Sequence, residues 1–189
     1  MKKTITIISF VLLTINIIAQ EKFTYSEKGL TDYVVIEIDS LNQNELYNKT
    51  IDWIKESYVN PDEVIKAKFE NEKLRFNGFK ENAFKYKVLG MSNVMDGRYS
   101  IEISFKDGKL KFDPISLEEH SLSKKYSADG WAPISLETNT WLYKSNGTLI
   151  KAVDSYPEDI IGIFNNLILS LNDYLLKESG AKKDSKKDW

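Results

Sequence analysis

Between Phe84 and Pro114 the chain reads FKYKVLGMSNVMDGRYSIEISFKDGKLKFDP, and at its centre Tyr99, Ile101, Ile103 and Phe105 alternate with Ser100, Glu102 and Ser104. Side chains on a strand leave on opposite faces with period two, so this run is a strand with one dry and one wet face. Asp107-Gly108 then gives a two-residue hairpin signal, and Leu110 and Phe112 resume the alternation beyond it. Upstream, Phe84, Tyr86 and Val88 alternate with Lys85, Lys87 and Leu89, and Asp96-Gly97 reads as the turn before Arg98. Three consecutive antiparallel strands with a common dry face follow. Something else in the chain must cover that face.

Two segments have the pattern to do so. Asn42 with Glu45 three residues on makes a capping box, and Leu41 can staple onto Leu46. Beyond it Leu46, Tyr47, Thr50, Ile51, Trp53, Ile54 and Tyr58 fall within ~160° of helical arc, and Asn60-Pro61 ends the helix. Pro157 suits the first turn of a second helix, with Glu158 and Asp159 beside it; the helix runs to about Lys177 and Gly180 stops it. Its apolar positions, from Ile160 to Leu176, cover more than half its circumference, as for a helix buried on two sides.

Tyr33 to Asp39 forms a first strand with Val34, Ile36 and Ile38 inward. Val64 to Phe79 reads as a hairpin, with Ile65, Ala67, Phe69, Leu74 and Phe76 inward and Glu70 to Lys73 in the turn. The expected fold is α+β: an antiparallel sheet of about five strands with two helices on one face. Residues 20–32 read as an extended lead-in, 33–178 as a single domain, and 179–189 as a disordered charged tail. Within the domain, 115–152 reads as an irregular elaboration. A late hairpin there places Trp141-Leu142-Tyr143 and Leu149-Ile150-Lys151 on either side of Asn146-Gly147.

Residues 1–19 are a separate object. Lys2 and Lys3 precede an apolar run from Ile5 to Ile18, and Ala19-Gln20 follows, which is the pattern of a secretory signal peptide cleaved after Ala19. The run is shorter than the ~20 residues a membrane span needs. The expected protein is exported, periplasmic or extracellular, with no membrane span after cleavage. The sequence has no cysteine, so lipoprotein anchoring, disulfides and thiolate chemistry are all excluded. Lys and Arg total 26 against 28 Asp and Glu, a balance that makes no case for nucleic acid.

Glu45-Leu46-Tyr47 with Trp53-Ile54, Met95-Asp96-Gly97-Arg98-Tyr99, Lys144-Ser145-Asn146-Gly147 and Asn165-Asn166-Leu167 together resemble a family of uncharacterised secreted bacterial domains described as having a TATA-binding-protein-like fold. The resemblance spans about Tyr33 to Leu176. It implies a β-α-β4-α layout and supplies no catalytic residues. The stretch from His120 to Thr140 departs from that layout and reads as an insertion.

Chemistry is sparse. The one histidine, His120, follows Glu118-Glu119 and reads as a solvated loop residue. One His and no Cys leave only an oxygen-ligand metal site open, and no calcium-loop pattern occurs. There is no Gly-rich phosphate loop and no nucleophile elbow. No cofactor is expected. In Asp96-Gly97-Arg98-Tyr99, Gly97 reads as a turn glycine, Arg98 as facing solvent or a carboxylate, and Tyr99 as core. The wet face of the sheet collects Lys66, Lys68, Arg75, Lys85, Lys87 and Lys111, a candidate anion-facing surface for a polyanionic envelope partner. The leading expectation is a non-enzymatic domain binding an envelope component or ligand. A carrier with an apolar cavity between the sheet, Trp53, Trp131 and the last helix is the alternative, and a carboxylate-based hydrolase is third.

Overall fold

The computed structural model describes residues 22–121, 130–137 and 140–184; the signal peptide expected over residues 1–19 and the last five residues lie outside them. Its elements are β1 (Tyr25–Ser26), β2 (Gly29–Leu30), β3 (Val34–Glu37), α1 (Gln43–Ser57), α2 (Pro61–Val64), β4 (Ile65–Phe69), β5 (Lys73–Val88), β6 (Met91–Lys106), β7 (Lys109–Ser121), β8 (Gly130–Ile134), a 3-10 turn (Thr140–Leu142) and α3 (Tyr156–Asp184). All pairing is antiparallel. The main sheet runs β3-β7-β6-β5-β4, and β8 also pairs with β7. Val34 to Glu37 take the Lys109–Phe112 end of β7, and β8 takes Leu117 to Ser121 on the same edge.

The alternation around Tyr99 to Phe105 carries the core as expected: Tyr99, Ile101, Ile103 and Phe105 are buried, with Leu74 and Phe76 beside them on β5 and Leu110 and Phe112 on β7. Asp107-Gly108 forms its hairpin between Lys106 and Lys109, with Gly108 at φ 72°. The capping box also forms, Glu45 N donating to Asn42 Oδ1 at 3.0 Å and Asn42 N to Glu45 Oε2 at 3.2 Å. Leu46, Tyr47, Thr50, Ile51, Trp53 and Ile54 are the buried face of α1. Helix α3 lies beside it over β5, with Ile160, Ile163, Phe164, Ile168, Leu171 and Leu175 buried.

Several expectations are corrected. Residues 74–79 and 84–91 are not two strands; most of both belong to the 16-residue β5, which folds back on β6 at Leu89-Gly90, both at positive φ (50° and 82°). Asp96-Gly97 is therefore not a turn. It lies inside β6, opposite the point where β5 bulges between Lys80 and Phe84. Asn82, at φ 51° in that bulge, donates its backbone N–H to Asp96 Oδ1 at 2.8 Å. Gly97 lets β5 approach, since a Cβ there would stand 2.7 Å from the Ala83 methyl. The Asp-Gly pair holds a cross-strand bulge, and its composition alone does not distinguish that use from a turn.

The lead-in is not merely extended. It forms the β1–β2 ribbon and buries Phe23 and Leu30, and the Asn165 amide both accepts from Phe23 N at 2.9 Å and donates to Phe23 O at 3.1 Å. The segment expected to be irregular continues β7 to Ser121 and adds β8. Its late hairpin reduces to one bridge, Tyr143 to Leu149, about the turn at Asn146-Gly147. Helix α3 passes through Gly180 to Asp184, so 179–184 are helical. A mid-helix glycine costs only ~1 kcal/mol against alanine, and Ala181, Lys182 and Lys183 are good helix formers. Leu169 and Leu176 are exposed, so part of the apolar circumference of α3 faces solvent.

Candidate functional site

Both long helices pack on the face that carries Phe76 and Tyr99, through contacts such as Trp53 on Phe76 and Phe164 on Tyr99. Among the described residues no helix covers the other face. Two irregularities decide which side chains stand there. A bulge at Lys66 sets Ala67 opposite Arg75 and Phe69 opposite Lys73, so neither points inward as the plain alternation implied, and Phe69 is 56% exposed. The same shift places Lys68 opposite inward-facing Leu74. On β7 a register shift opposite Ser100 and Ile101 moves the wet positions from Lys109, Lys111 and Asp113 to Ser116, Glu118 and His120.

The six cations expected on one surface are therefore distributed. Lys68 is on the opposite side of β4 from its neighbours. Arg75 donates to Glu102 Oε2 at 2.9 Å, and Lys73 reaches the other oxygen of the same carboxylate at 2.9 Å. Lys111 pairs with Asp113 at 2.8 Å and Lys87 with Asp154 at 3.1 Å. From Arg75 to Lys87 the register spans ten residues of β6, about 30 Å at the strand rise. Lys85 and Lys87 sit where the chain before α3 closes on β5: Lys87 N donates to Ala152 O at 2.8 Å, Lys85 N to Asp159 Oδ2 at 2.9 Å, and Ser155 Oγ to Lys85 O at 2.9 Å. Of the six, Lys66 lines a cleft of about 620 Å³ at the middle of the sheet, and none of the other five does.

That cleft opens where β4 stops and the outer edge of β5 continues alone. Tyr58, Asn60, Glu63 and Val64 form one wall, and Asn77, Phe79, Arg98, Ser100, Ser116 and Glu118 form the floor. Asn77, Ser100 and Ser116 are direct neighbours across β5, β6 and β7, and Phe79, Arg98, Glu118 and Pro133 make the next row. Arg98 and Glu118 form a bidentate pair, Nε to Oε2 and Nη2 to Oε1, the latter at 3.1 Å. The pair raises the Arg98 pKa and holds the Glu118 carboxyl below its usual range. The Arg98 guanidinium lies 4.5 Å over the Trp131 ring, which meets Phe79 edge-on at 6.1 Å and His120 at 5.0 Å between centroids. His120 is thus a half-buried strand residue set edge-on against an aromatic partner, and no loop histidine.

At the back of the cleft the Tyr99 ring lies across Gly78 and its hydroxyl meets that of Tyr58 at 3.0 Å. Burial raises the pKa of both phenols, so both stay protonated and hydrogen bonding. A second cleft, of about 550 Å³, lies between the lead-in, the β7 bulge and the end of β8; Ser116 and Glu118 line both.

The other expected chemistries are placed as follows. Trp53 lies under the sheet, its Nε1 donating to Ser170 Oγ at 3.0 Å, whereas Trp131 is on the wet face, so the two do not line one cavity. Adjacent Glu118 and Glu119 point to opposite faces. Glu119, pushed up by burial, accepts from Tyr156 Oη at 2.5 Å on the helix side. Glu102 is held low, first by Lys73 and then by Arg75. Among the described residues no group of three or more His, Asp or Glu side chains is placed to hold a metal ion, and no helix is long and apolar enough to cross a membrane.

Phe79 and Asn77 were not picked out from the sequence as site residues, and Trp131 was expected only in the wall of an apolar cavity with Trp53, not on the wet face. Phe79 carried a usable signal, being a large apolar residue at an outward position of its strand. Trp131 carried none, because its place depends on the pairing of β8.

An antiparallel meander with two helices on one face defines an α+β domain of the TBP-like class. Residues 33–117 match the family described as "Domain of unknown function (DUF4468) with TBP-like fold". Two solved structures are similar. One is a DUF4468 family protein from Bacteroides ovatus, with a TM-score of 0.59 at 9% identity, covering 79% of this chain and 87% of the other. The second is a TBP-like protein from Parabacteroides distasonis, with a TM-score of 0.53 at 14% identity, covering 76% and 90%. At those identities the likeness is one of fold. No curated protein matches the sequence.

Proposed function

We propose that this is an exported, non-catalytic domain that binds an envelope component or ligand on the open face of its sheet. The supporting observation is the division of labour between the two faces. One face is closed by α1 and α3 and filled with side chains. The other, among the described residues, carries no covering helix, and an open cleft runs into it. A site made of strand residues is held by the ladder on both sides and needs little ordering when a partner arrives. Near the cleft Glu102 and Glu118 are engaged with cations and Glu119 is turned to the helix side. Among the described residues Glu63 is the one carboxylate of the lining outside an ion pair, which favours binding over chemistry by paired carboxylates.

Two measurements test this. Intact mass from the native envelope fraction should match the chain beginning at Gln20; a species retaining Met1 to Ala19 argues against cleavage. Mature protein immobilised against envelope extract should enrich a component that is lost when Phe79 and Asn77 are changed to Ala. Enrichment indifferent to both changes overturns the assignment to this face.

A further inference from the structure

Resting on that reading, we infer that the cleft between α2 and the middle of the sheet is a site for a neutral saccharide. Three features of its lining select the ligand. The first is charge. Lys66 and Arg98 stand against Glu63 and Glu118, and Arg98 and Glu118 already satisfy each other, so the floor presents a neutralised pair. An ionic ligand would have to compete with that bidentate pair for Arg98 or Glu118. The two other charges of the lining, Lys66 and Glu63, are of opposite sign and leave it no net charge.

The second feature is unused hydrogen-bonding capacity. Asn77, Ser100 and Ser116 form one row across three strands, and among the described residues their side chains make no hydrogen bond. Each hydroxyl both donates and accepts, and the amide offers two donors and an acceptor. With strands about 4.8 Å apart the row is roughly 10 Å long. A ligand that fits it must itself offer several groups that donate and accept at this spacing, as a polyol does. The third feature is Phe79. It is 53% exposed and lies two residues along β5 from Asn77 on the same face, about 7 Å away. Its ring is held edge-on by Trp131, which Arg98 covers in turn. A fixed apolar ring beside a row of free hydroxyl and amide groups matches a sugar, which has an apolar C–H face and a hydroxyl rim. A peptide would leave the row partly unpaired, and a purely apolar ligand would leave it unpaired altogether, at the cost that desolvated polar groups carry.

The experiment titrates the mature protein with neutral cello-, xylo-, manno-, malto- and chito-oligosaccharides, following backbone amide shifts by NMR, with polygalacturonate as an acidic control. The expected result is binding of at least one neutral series, with shifts centred on Asn77, Phe79, Ser100 and Ser116. The affinity should not change between about 50 mM and about 500 mM NaCl, because an uncharged ligand makes no ion pair for salt to screen. Phe79→Ala and Asn77→Ala should each weaken it about tenfold or more, as loss of a central anchor does. Both residues are exposed, and the amide spectra of the variants report directly that they fold. Lys85→Gln, far along β5, should leave affinity unchanged. Absence of binding by every neutral series overturns the inference. So does binding that weakens steeply with salt, or that survives both alanine changes. If the envelope component is still lost from Phe79→Ala and Asn77→Ala while no neutral sugar binds, the open face remains the binding face and the saccharide assignment alone falls.

Discussion

The indole N–H of Trp53 donates to the hydroxyl of Ser170 at 3.0 Å, so the largest side chain of α1 is fixed to α3 as well as to the sheet. Its ring also meets Phe76 at 5.9 Å and Tyr58 at 6.4 Å, both edge-on. Truncation to alanine should open a cavity at the joint of two helices and the sheet, and Trp53→Ala is expected to cost ~3–5 kcal/mol in urea melts. Ser170→Ala should cost only ~1 kcal/mol, the usual net value of one hydrogen bond. A change below ~1 kcal/mol for Trp53→Ala would contradict its placement.

Gly78 sits directly beneath the Tyr99 ring, where a Cβ would lie 2.2 Å from the ring carbon that bears the hydroxyl. Gly78→Ala should therefore push Tyr99 off its bond with Tyr58 and destabilise by ~1–3 kcal/mol as an overpacking change. Tyr58→Phe removes the same bond without moving the ring and should cost less, ~1 kcal/mol. If Gly78→Ala melts like the parent, the ring does not rest there.

These two sites show where the sequence is legible and where it is not. The burial of Trp53 follows from helical periodicity, and that of Tyr99 from strand alternation, because each needs only the local repeat. The capping box of α1 and the hairpin at Asp107-Gly108 are local in the same way. The bulges at Lys66, opposite Gly97 and on β7 are not, because a bulge is a mismatch in length between two strands and neither strand records it alone. Each bulge also changes which side chains share a face, and with it the composition of the cleft. Phe69 was read inward for that reason, and Ser116 drew no attention. The turn at Leu89-Gly90 was missed because Leu is a rare residue at positive φ, while Asp96-Gly97 has the residues such a turn prefers.

The two most informative carboxylates should give opposite dependences on pH. Glu102 is held below the ordinary carboxylate value of ~4.3 by Lys73 and Arg75, so near that value the folded state binds fewer protons than the unfolded one. Its contribution is present above ~4.3 and is lost as pH falls through the depressed value. Glu119 is raised by burial, so it favours folding below ~4.3 and that contribution is lost as pH rises through the raised value. Urea midpoints measured from about pH 3 to 7 should accordingly show a shallower acid decline for Glu102→Gln than for the parent. Glu119→Gln should gain on the parent as pH rises. The reverse order for either variant would mean that its carboxyl is not in the described setting.

Lys66 and the pair Lys85 and Lys87 test whether the basic residues of the sheet act as one surface. Seven residues of β6 separate the positions opposite them, about 20 Å along the strand. That is twice the ~10 Å over which exposed charges are felt at 0.1 M salt, and Lys87 is already paired with Asp154. Charges that far apart should act independently on any polyanion. The salt concentration that elutes the chain from Gln20 onward from immobilised heparin is therefore expected to fall by separate amounts for Lys66→Gln and for Lys85→Gln with Lys87→Gln, and the triple change should equal their sum. Stability should move by less than ~1 kcal/mol in all three, because exposed ion pairs contribute little. A triple change larger than the sum of its parts would mean that a bound chain spans both places at once, and that Lys66, Lys85 and Lys87 act as one anion-facing surface.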